Sequence, residues 1–422
     1  MSALTAALCL ASVAAGPLGA QVPDSALIRH ALRLHRQVPM IDGHNDFAWE
    51  MRVQARLSFE GRDMRAAMPT FQTDIPRLRA GGVGGQFWSI FISDTMVHQG
   101  ATKTSLEQVD VIRRMVARYP ETFVLAGTAA DVERAHRAGR IAALLGLEGG
   151  HSIENSLGTL RMFYDLGVRY MTLTWNDDAP WADAAAGTKS HNGLTAFGRE
   201  VVREMNRLGM LVDISHVSDS VMAQVLRLSE APVIFSHSSA RALANHRRNV
   251  PDWVLRMVPQ NGGVVMVNFY CDFVDSAKVR WNVDSAEVIR GIRAAGGDSA
   301  SMRQAFAGWT ASYPKPPRPT IATIADHIEH VRDVAGVDHV GYGSDFDGID
   351  CAPQGLEDVS HFPRLTAELL RRGWSDADVA KVIGLNILRV MRGAEAAARR
   401  LQRLRPPSTA TLGGMDSIAV RP

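Results

Sequence analysis

The chain has 422 residues, 46% of them hydrophobic and 21% charged, and a formal net charge of +2. That is enough apolar material for one large core, and the near-neutral balance without a long basic run excludes the footprint of a nucleic-acid or membrane-surface binder. Three cysteines with no Cys-x-x-Cys pair exclude a thiolate zinc site.

Ala3 to Ala20 are small or apolar and end in Leu18-Gly19-Ala20, the pattern of an export signal, although no Lys or Arg precedes the run. Residues 1–20 are therefore expected to be a signal peptide and the protein to be exported, periplasmic or secreted. Residues 21–404 are expected to form a single domain. Residues 405–422, rich in Pro, Ser, Thr and Gly, are expected to be a disordered tail. Cys9 would leave with the signal, and whether Cys271 and Cys351 pair is left open.

The first predicted strand is Met40-Ile41-Asp42-Gly43-His44-Asn45-Asp46, an apolar start ending in His-x-Asp. Thr73 to Arg79 is helical and Val83 to Ile92 strand-like. Leu106, Val109, Ile112 and Val116 give Thr104 to Arg118 helical spacing. Ile141 to Leu147 is a pure apolar run ending in Glu148-Gly149-Gly150, and Val168 to Thr174 another ending at Trp175. An amphipathic helix over Leu194 to Leu208 precedes a strand over Gly209 to Ser215 that ends at His216. Ser218 to Leu228 is helical, and Val233 to Ser236 is a short strand ending at His237. Gly263 to Phe269 is a strand, Ile321 to Ala335 a helix, and His339 to Gly343 a strand ending in Ser344-Asp345. Residues 272–319 are the longest insertion, and their Pro-rich end predicts a rim loop or lid.

Eight short apolar strands separated by helices predict parallel pairing under a helical cover. The fold class is α/β, a (β/α)8 TIM-like barrel with insertions, with its site at the C-terminal ends of the strands. An open doubly wound sheet is the alternative, but no Gly-x-Gly-x-x-Gly follows the first strand. Side chains at i and i+2 of a strand share a face, so His44 and Asp46 project together. Glu148, His216, His237 and Asp345 stand at other strand ends and converge on the same mouth if the barrel closes. Imidazoles and carboxylates together suit zinc or a similar cation, and six such groups exceed the needs of one tetrahedral ion. Two ions, about 3.5–4 Å apart and bridged by Glu148 and a water or hydroxide, would use them.

Five segments carry a resemblance: Asp42-Gly43-His44-Asn45-Asp46, Gly146-Leu147-Glu148-Gly149-Gly150-His151, Val212-Asp213-Ile214-Ser215-His216-Val217-Ser218, Phe235-Ser236-His237-Ser238-Ser239-Ala240 and Gly343-Ser344-Asp345-Phe346-Asp347-Gly348. In this order they resemble the membrane (renal-type) dipeptidases, binuclear zinc enzymes of the amidohydrolase-like barrels, from about Pro39 to Ala397. The resemblance implies a zinc-dependent dipeptidase that tolerates a C-terminal D-residue. Its metal ligands would be His44 and Asp46 for one zinc ion, His216 and His237 for the other, and Glu148 between them. It implies that Asp345 takes and delivers the proton and that Arg248 holds the substrate's C-terminal carboxylate. The partners it implies are a dipeptide substrate and a second copy of the chain in a homodimer.

Two positions depart from that family. Trp175 stands where a His usually helps to polarise the scissile carbonyl, and an indole can donate one hydrogen bond but not accept a proton. Phe273 stands where some members carry a Tyr that touches substrate. Trp175 is accordingly expected to bind substrate. It also keeps open a binuclear metal hydrolase of a non-peptide bond (lactone, β-lactam or phosphotriester). A non-catalytic binding protein on the same barrel is a third reading.

Overall fold

The computed structural model describes residues 25–416 apart from 98 and 297. The expected signal segment, 1–20, and the last six residues of the tail lie outside the described residues. Nine strands form one parallel sheet: β1 (Met40–Asn45), β2 (Val83–Phe91), β3 (Phe123–Leu125), β4 (Ile141–Glu148), β5 (Val168–Thr172), β6 (Leu211–Asp213), β7 (Ile234–Phe235), β8 (Val264–Val267) and β9 (Val340–Tyr342). The order is β2-β1-β9-β8-β7-β6-β5-β4-β3, and β2 pairs back onto β4. Eight strands therefore close into a barrel, which settles the choice against an open sheet.

The strand outside the eight is β3, which the sequence pattern did not announce. It pairs with Ile141–Ala143 of β4. Since β2 occupies the other edge of β4 from Ala142 to Glu148, β3 shares its edge with β5, which takes over from Leu145.

All eight residues of β4 are buried, as an apolar run in a covered parallel sheet should be. The barrel interior is crossed by Tyr170 of β5. Its hydroxyl donates to the Gly43 carbonyl on β1 at 3.3 Å, and its ring packs 5.2 Å from that of Phe87. Gly146 makes room for it: a Cβ there would lie 2.0 Å from the Tyr170 ring.

The predicted helices form where their capping signals stand. Ile75–Ala80 is capped by the Asp74 side chain, which accepts from Arg77 N, and Asp219–Leu228 by Ser218. Ala196–Leu208 starts at Thr195 and ends at Gly209, whose φ of 85° is the left-handed stop that glycine accepts without cost. Among the described residues, no helix is long and apolar enough to cross a membrane.

Three features add to the sequence reading. The insertion 272–319 is mostly a helical pair, Ser276–Ala294 and Ser299–Ser312. Its Pro-rich end is strapped to the first of these helices, because Lys278 Nζ donates to the Pro316 carbonyl and Trp281 Nε1 to that of Tyr313. The tail expected to be disordered is seated as far as Asp416, whose carboxylate accepts from Ala196 N at 2.9 Å at the start of helix Ala196–Leu208. A carboxylate at a helix N-terminus meets unpaired N–H groups and the positive end of the helix dipole. Finally, Cys271 and Cys351 form a disulfide, Cα–Cα 5.5 Å, joining the segments that follow β8 and β9.

Candidate metal centre

His44, Asp46, Glu148, His216, His237 and Asp345 meet at the C-terminal mouth of the barrel. Glu148 stands between two sets of partners. Its Oε1 lies 3.0 Å from His216 Nε2 and 3.5 Å from His237 Nε2, while Oε2 lies 3.2 Å from His44 Nε2. Ser89 on β2 donates to Oε2 at 3.1 Å and fixes that side of the carboxylate. Asp46 Oδ2 is 3.3 Å from His44 Nε2, and Asp345 Oδ1 is 4.0 Å from the same atom. Asp46 sits one residue beyond β1, so its carboxylate reaches His44 from the start of the next helix rather than from the strand.

The backbone is bent to aim these groups. His216 and Asp345 have φ of 65° and 69°, left-handed conformations that ordinary side chains seldom adopt. Each sits just past its strand, and such conformations persist where the surrounding structure enforces them.

Hydrogen bonds behind the cluster assign the imidazole tautomers. Ser236 Oγ donates its single proton to Asp213 Oδ2 at 2.6 Å, so at His237 Nδ1, 2.7 Å away, it accepts. The Tyr170 hydroxyl likewise donates to the Gly43 carbonyl and accepts from His44 Nδ1 at 2.8 Å. His237, a neutral ring, then turns an unprotonated Nε2 into the cluster, 2.9 Å from that of His216, while His44 presents Nε2 as the position that a cation would take. The unprotonated His237 Nε2, the two Glu148 oxygens and Asp46 Oδ1, buried and unpartnered, form a donor set suited to a cation. Two overlapping groups can hold a metal: His44, Glu148 and His237, and His44, Asp46 and Asp345. The residues present thus fit divalent ions.

Electrostatics agree for His216 and His237, whereas at His44 burial is outweighed by Tyr170, Glu148 and Asp46, which hold that ring well above its usual value until a cation takes the place of its proton. Burial lowers His216 to about 3, helped by the Arg248 guanidinium. Burial also holds His237 well below its usual value, with His44 and Arg248 adding to the effect. Both rings are therefore neutral, as metal ligands must be. Burial would raise Glu148, but the imidazoles of His44 and His216 outweigh it and keep the carboxyl ionised. Asp345 moves the other way. Burial raises it to about 8, against the pull of His44 and with the repulsion of Asp46 and Glu148. Its second oxygen accepts from Asn268 Nδ2 at 2.8 Å.

The cluster forms the floor of a cavity of about 720 Å3, which Trp175, Phe273, Tyr270 and Asp345 also line. Arg248 is 3% exposed, donates Nη2 to the His237 carbonyl at 3.3 Å, and lies 5.4 Å from the Phe273 ring centroid. Its Nε and Nη1 have no partner.

Sequence reading passed over the residues behind the ligands: Asp213, Ser236, Tyr170, Ser89 and Asn268. Asp213 did carry a signal. A carboxylate within an apolar strand is out of place unless it is satisfied there, and this one accepts from Ser215 N, Ser236 N, Ser236 Oγ and Thr172 Oγ1.

A closed parallel barrel with imidazoles and carboxylates gathered at its C-terminal mouth defines a metal-dependent hydrolase. Residues 28–405 match the model of the membrane dipeptidase family, peptidase family M19, and the chain belongs to that family. It is a metallo-dipeptidase. A solved structure of dipeptidase AC, a metallopeptidase of family M19, is 26% identical with a TM-score of 0.70, covering 85% of this chain and 98% of that one. A metallopeptidase from Rhodobacter sphaeroides, liganded with a phosphinate mimic of the dipeptide L-Ala-D-Ala, is 25% identical with a TM-score of 0.68, over 85% and 99% of the two chains. The probable dipeptidase PvdM from Pseudomonas aeruginosa has a TM-score of 0.76 over 89% of this chain and 100% of its own. Its 24% identity speaks for the fold alone.

Proposed function

We propose that this metallo-dipeptidase uses two zinc ions to cleave dipeptides and accepts a D-residue on the C-terminal side. The observation that carries the reading is Glu148, whose two oxygens are divided between His216 with His237 and His44 with Asp46 nearby. A carboxylate so placed suits a bridge between two ions. Bound there, such ions supply Lewis acidity and lower the pKa of a bound water toward neutrality. Zinc is favoured because three imidazoles and two carboxylates, without a thiolate, match its borderline character. The D-residue rests on the Rhodobacter sphaeroides relative and its L-Ala-D-Ala mimic.

The protein's own groups do the rest. Asp345 holds the proton released by the attacking water and passes it to the leaving amine: one of its oxygens reaches the His44 side of the cluster at 4.0 Å, and the other is fixed by Asn268. Arg248 pairs with the substrate's C-terminal carboxylate through N–H donors left without a partner, at Nε and at Nη1. Trp175 forms part of the cavity wall and closes one side of the bound dipeptide to water. The protein acts outside the cytosol: a disulfide such as Cys271–Cys351 persists in oxidising compartments.

Metal analysis joined to an Asp345→Asn variant tests the assignment. The variant should keep its metal content and lose turnover of an Ala-D-Ala-type dipeptide by about 10²–10⁴-fold. Stripping metal from the parent should abolish turnover, and zinc should restore it. Undiminished turnover in D345N refutes the proton-transfer role of Asp345, and full activity in chelated protein refutes the metal-dependent reaction. Faster turnover of lactones or phosphotriesters than of any dipeptide would move the substrate class to those esters.

A further inference from the structure

One wall of the cavity is aromatic, and the proposed hydrolysis uses it only to keep water out. Trp49, Phe91 and Trp175 are each half-buried and line the cavity. Their rings form a continuous edge-to-face row. Trp49 and Phe91 have centroids 4.8 Å apart at 82°, and Phe91 and Trp175 are 4.8 Å apart at 68°. The row ends over the metal cluster, where Trp175 lies 6.1 Å from the His216 ring. Phe91 is the strand partner of Glu148, so the row runs from the proposed bridging carboxylate outward to the rim. Rings already held by one another lose little freedom when a ligand joins them, and aromatic contacts add to the gain from simple burial.

The barrel order fixes where this wall faces. Trp49 follows β1, Phe91 ends β2 and Trp175 follows β5. Arg248 follows β7 and Phe273 follows β8. Round the closed barrel, β7 lies four places from β2, three from β1 and two from β5. Phe91 therefore stands across the mouth from Arg248, with Trp49 beside it and Trp175 closing the row from the flank next to His216. A dipeptide whose carboxylate is at Arg248 and whose peptide carbonyl is over the cluster has only its N-terminal residue left to point at the rings.

We infer that Trp49, Phe91 and Trp175 form the pocket for the side chain of the substrate's N-terminal residue, and that the enzyme selects dipeptides beginning with a large apolar or aromatic residue. The inference rests on the dipeptidase reading with Arg248 on the carboxylate. A cavity of about 720 Å3 leaves space for such a side chain beyond what two small residues fill.

The test compares Phe-Ala, Gly-Ala, Lys-Ala, Ala-Ala and Ala-Phe on the zinc-loaded full chain. Phe-Ala should exceed Gly-Ala at least tenfold in kcat/KM, since a single methylene in an apolar pocket is already worth about that much. Ala-Phe should gain nothing comparable over Ala-Ala. Trp175→Ala and Phe91→Ala should each reduce the Phe-Ala to Gly-Ala ratio by about threefold or more. Because that readout is a ratio within one variant, a general loss of activity does not mimic it. Phe91→Leu, which preserves bulk, should retain most of the ratio if F91A folds poorly. A parent ratio near one, a ratio unmoved in W175A, or a preference for Lys-Ala overturns the inference while leaving the dipeptidase reading intact. Absence of turnover on every dipeptide overturns both.

Discussion

Ser236→Ala removes one oxygen that touches no proposed ligand atom, and its effects follow from two hydrogen bonds. The hydroxyl donates to Asp213 at 2.6 Å and accepts from His237 Nδ1 at 2.7 Å. Without it, the His237 N–H is buried with no acceptor. The Asp213 carboxylate keeps three of its four donors: Ser215 N, Ser236 N and Thr172 Oγ1. One stranded buried donor and one lost bond to a charged group together cost about 3 kcal/mol in the metal-free protein. The larger consequence is for metal binding. An imidazole that has lost the partner fixing its tautomer and ring plane binds metal about 10–100-fold more weakly. Zinc affinity should be read by competition with a chromophoric chelator, and stability by denaturant unfolding of the stripped protein. Thr172→Val is the control. It takes a donor from the same carboxylate but leaves His237 alone, so it should cost about 2 kcal/mol of stability and little zinc affinity. Equal zinc affinity in S236A and the parent, or an equal loss in T172V, refutes the assignment of this relay to His237.

Two further outcomes are expected. Arg248→Lys keeps the charge but loses the planar fork, so KM for dipeptides should rise about ten- to a hundredfold with kcat much less affected; an unchanged KM would remove Arg248 from carboxylate recognition. His327 is held neutral by burial, which lowers it to about 4, while its Nδ1 accepts from Ala240 N and its Nε2 donates to the Val274 carbonyl. A folded-state pKa below the unfolded value near 6.5 means that the native chain binds fewer protons, so this stability is present above pH 6.5 and lost as pH falls toward 4. Between about pH 7.5 and 4.5 the loss is about 2–3 kcal/mol, and His327→Gln should flatten the pH dependence of denaturant unfolding by that amount; an unaltered slope would show that His327 is not the titrating group.

The parts of the fold legible in the sequence were those where burial dictates composition. The eight barrel strands are covered on both faces, so Ile141–Glu148 reads as an uninterrupted apolar run and its first polar residue marks the mouth. Strand ends then named the cluster, since a ligand type that closes an apolar run has few other reasons to stand there. Elements stabilised by distant partners were not legible. β3 is three residues long and owes its pairing to one half of the β4 edge. The seat of the tail depends on Asp416 meeting a helix start about 220 positions earlier. The residues that orient the ligands were hidden for a similar reason. Tyr170 looks like an ordinary strand aromatic until Gly146 is known to lie beneath its ring and His44 at its hydroxyl.

The Cys271–Cys351 link has a practical corollary. Tyr270 and Phe273 flank one of its ends, Ile349 and Asp350 adjoin the other, and all four face the substrate chamber. A thiol added to an assay buffer would unfasten two sides of that chamber while sparing every ligand in it. Reductant should thus blur discrimination among peptides well before it costs the enzyme its metal.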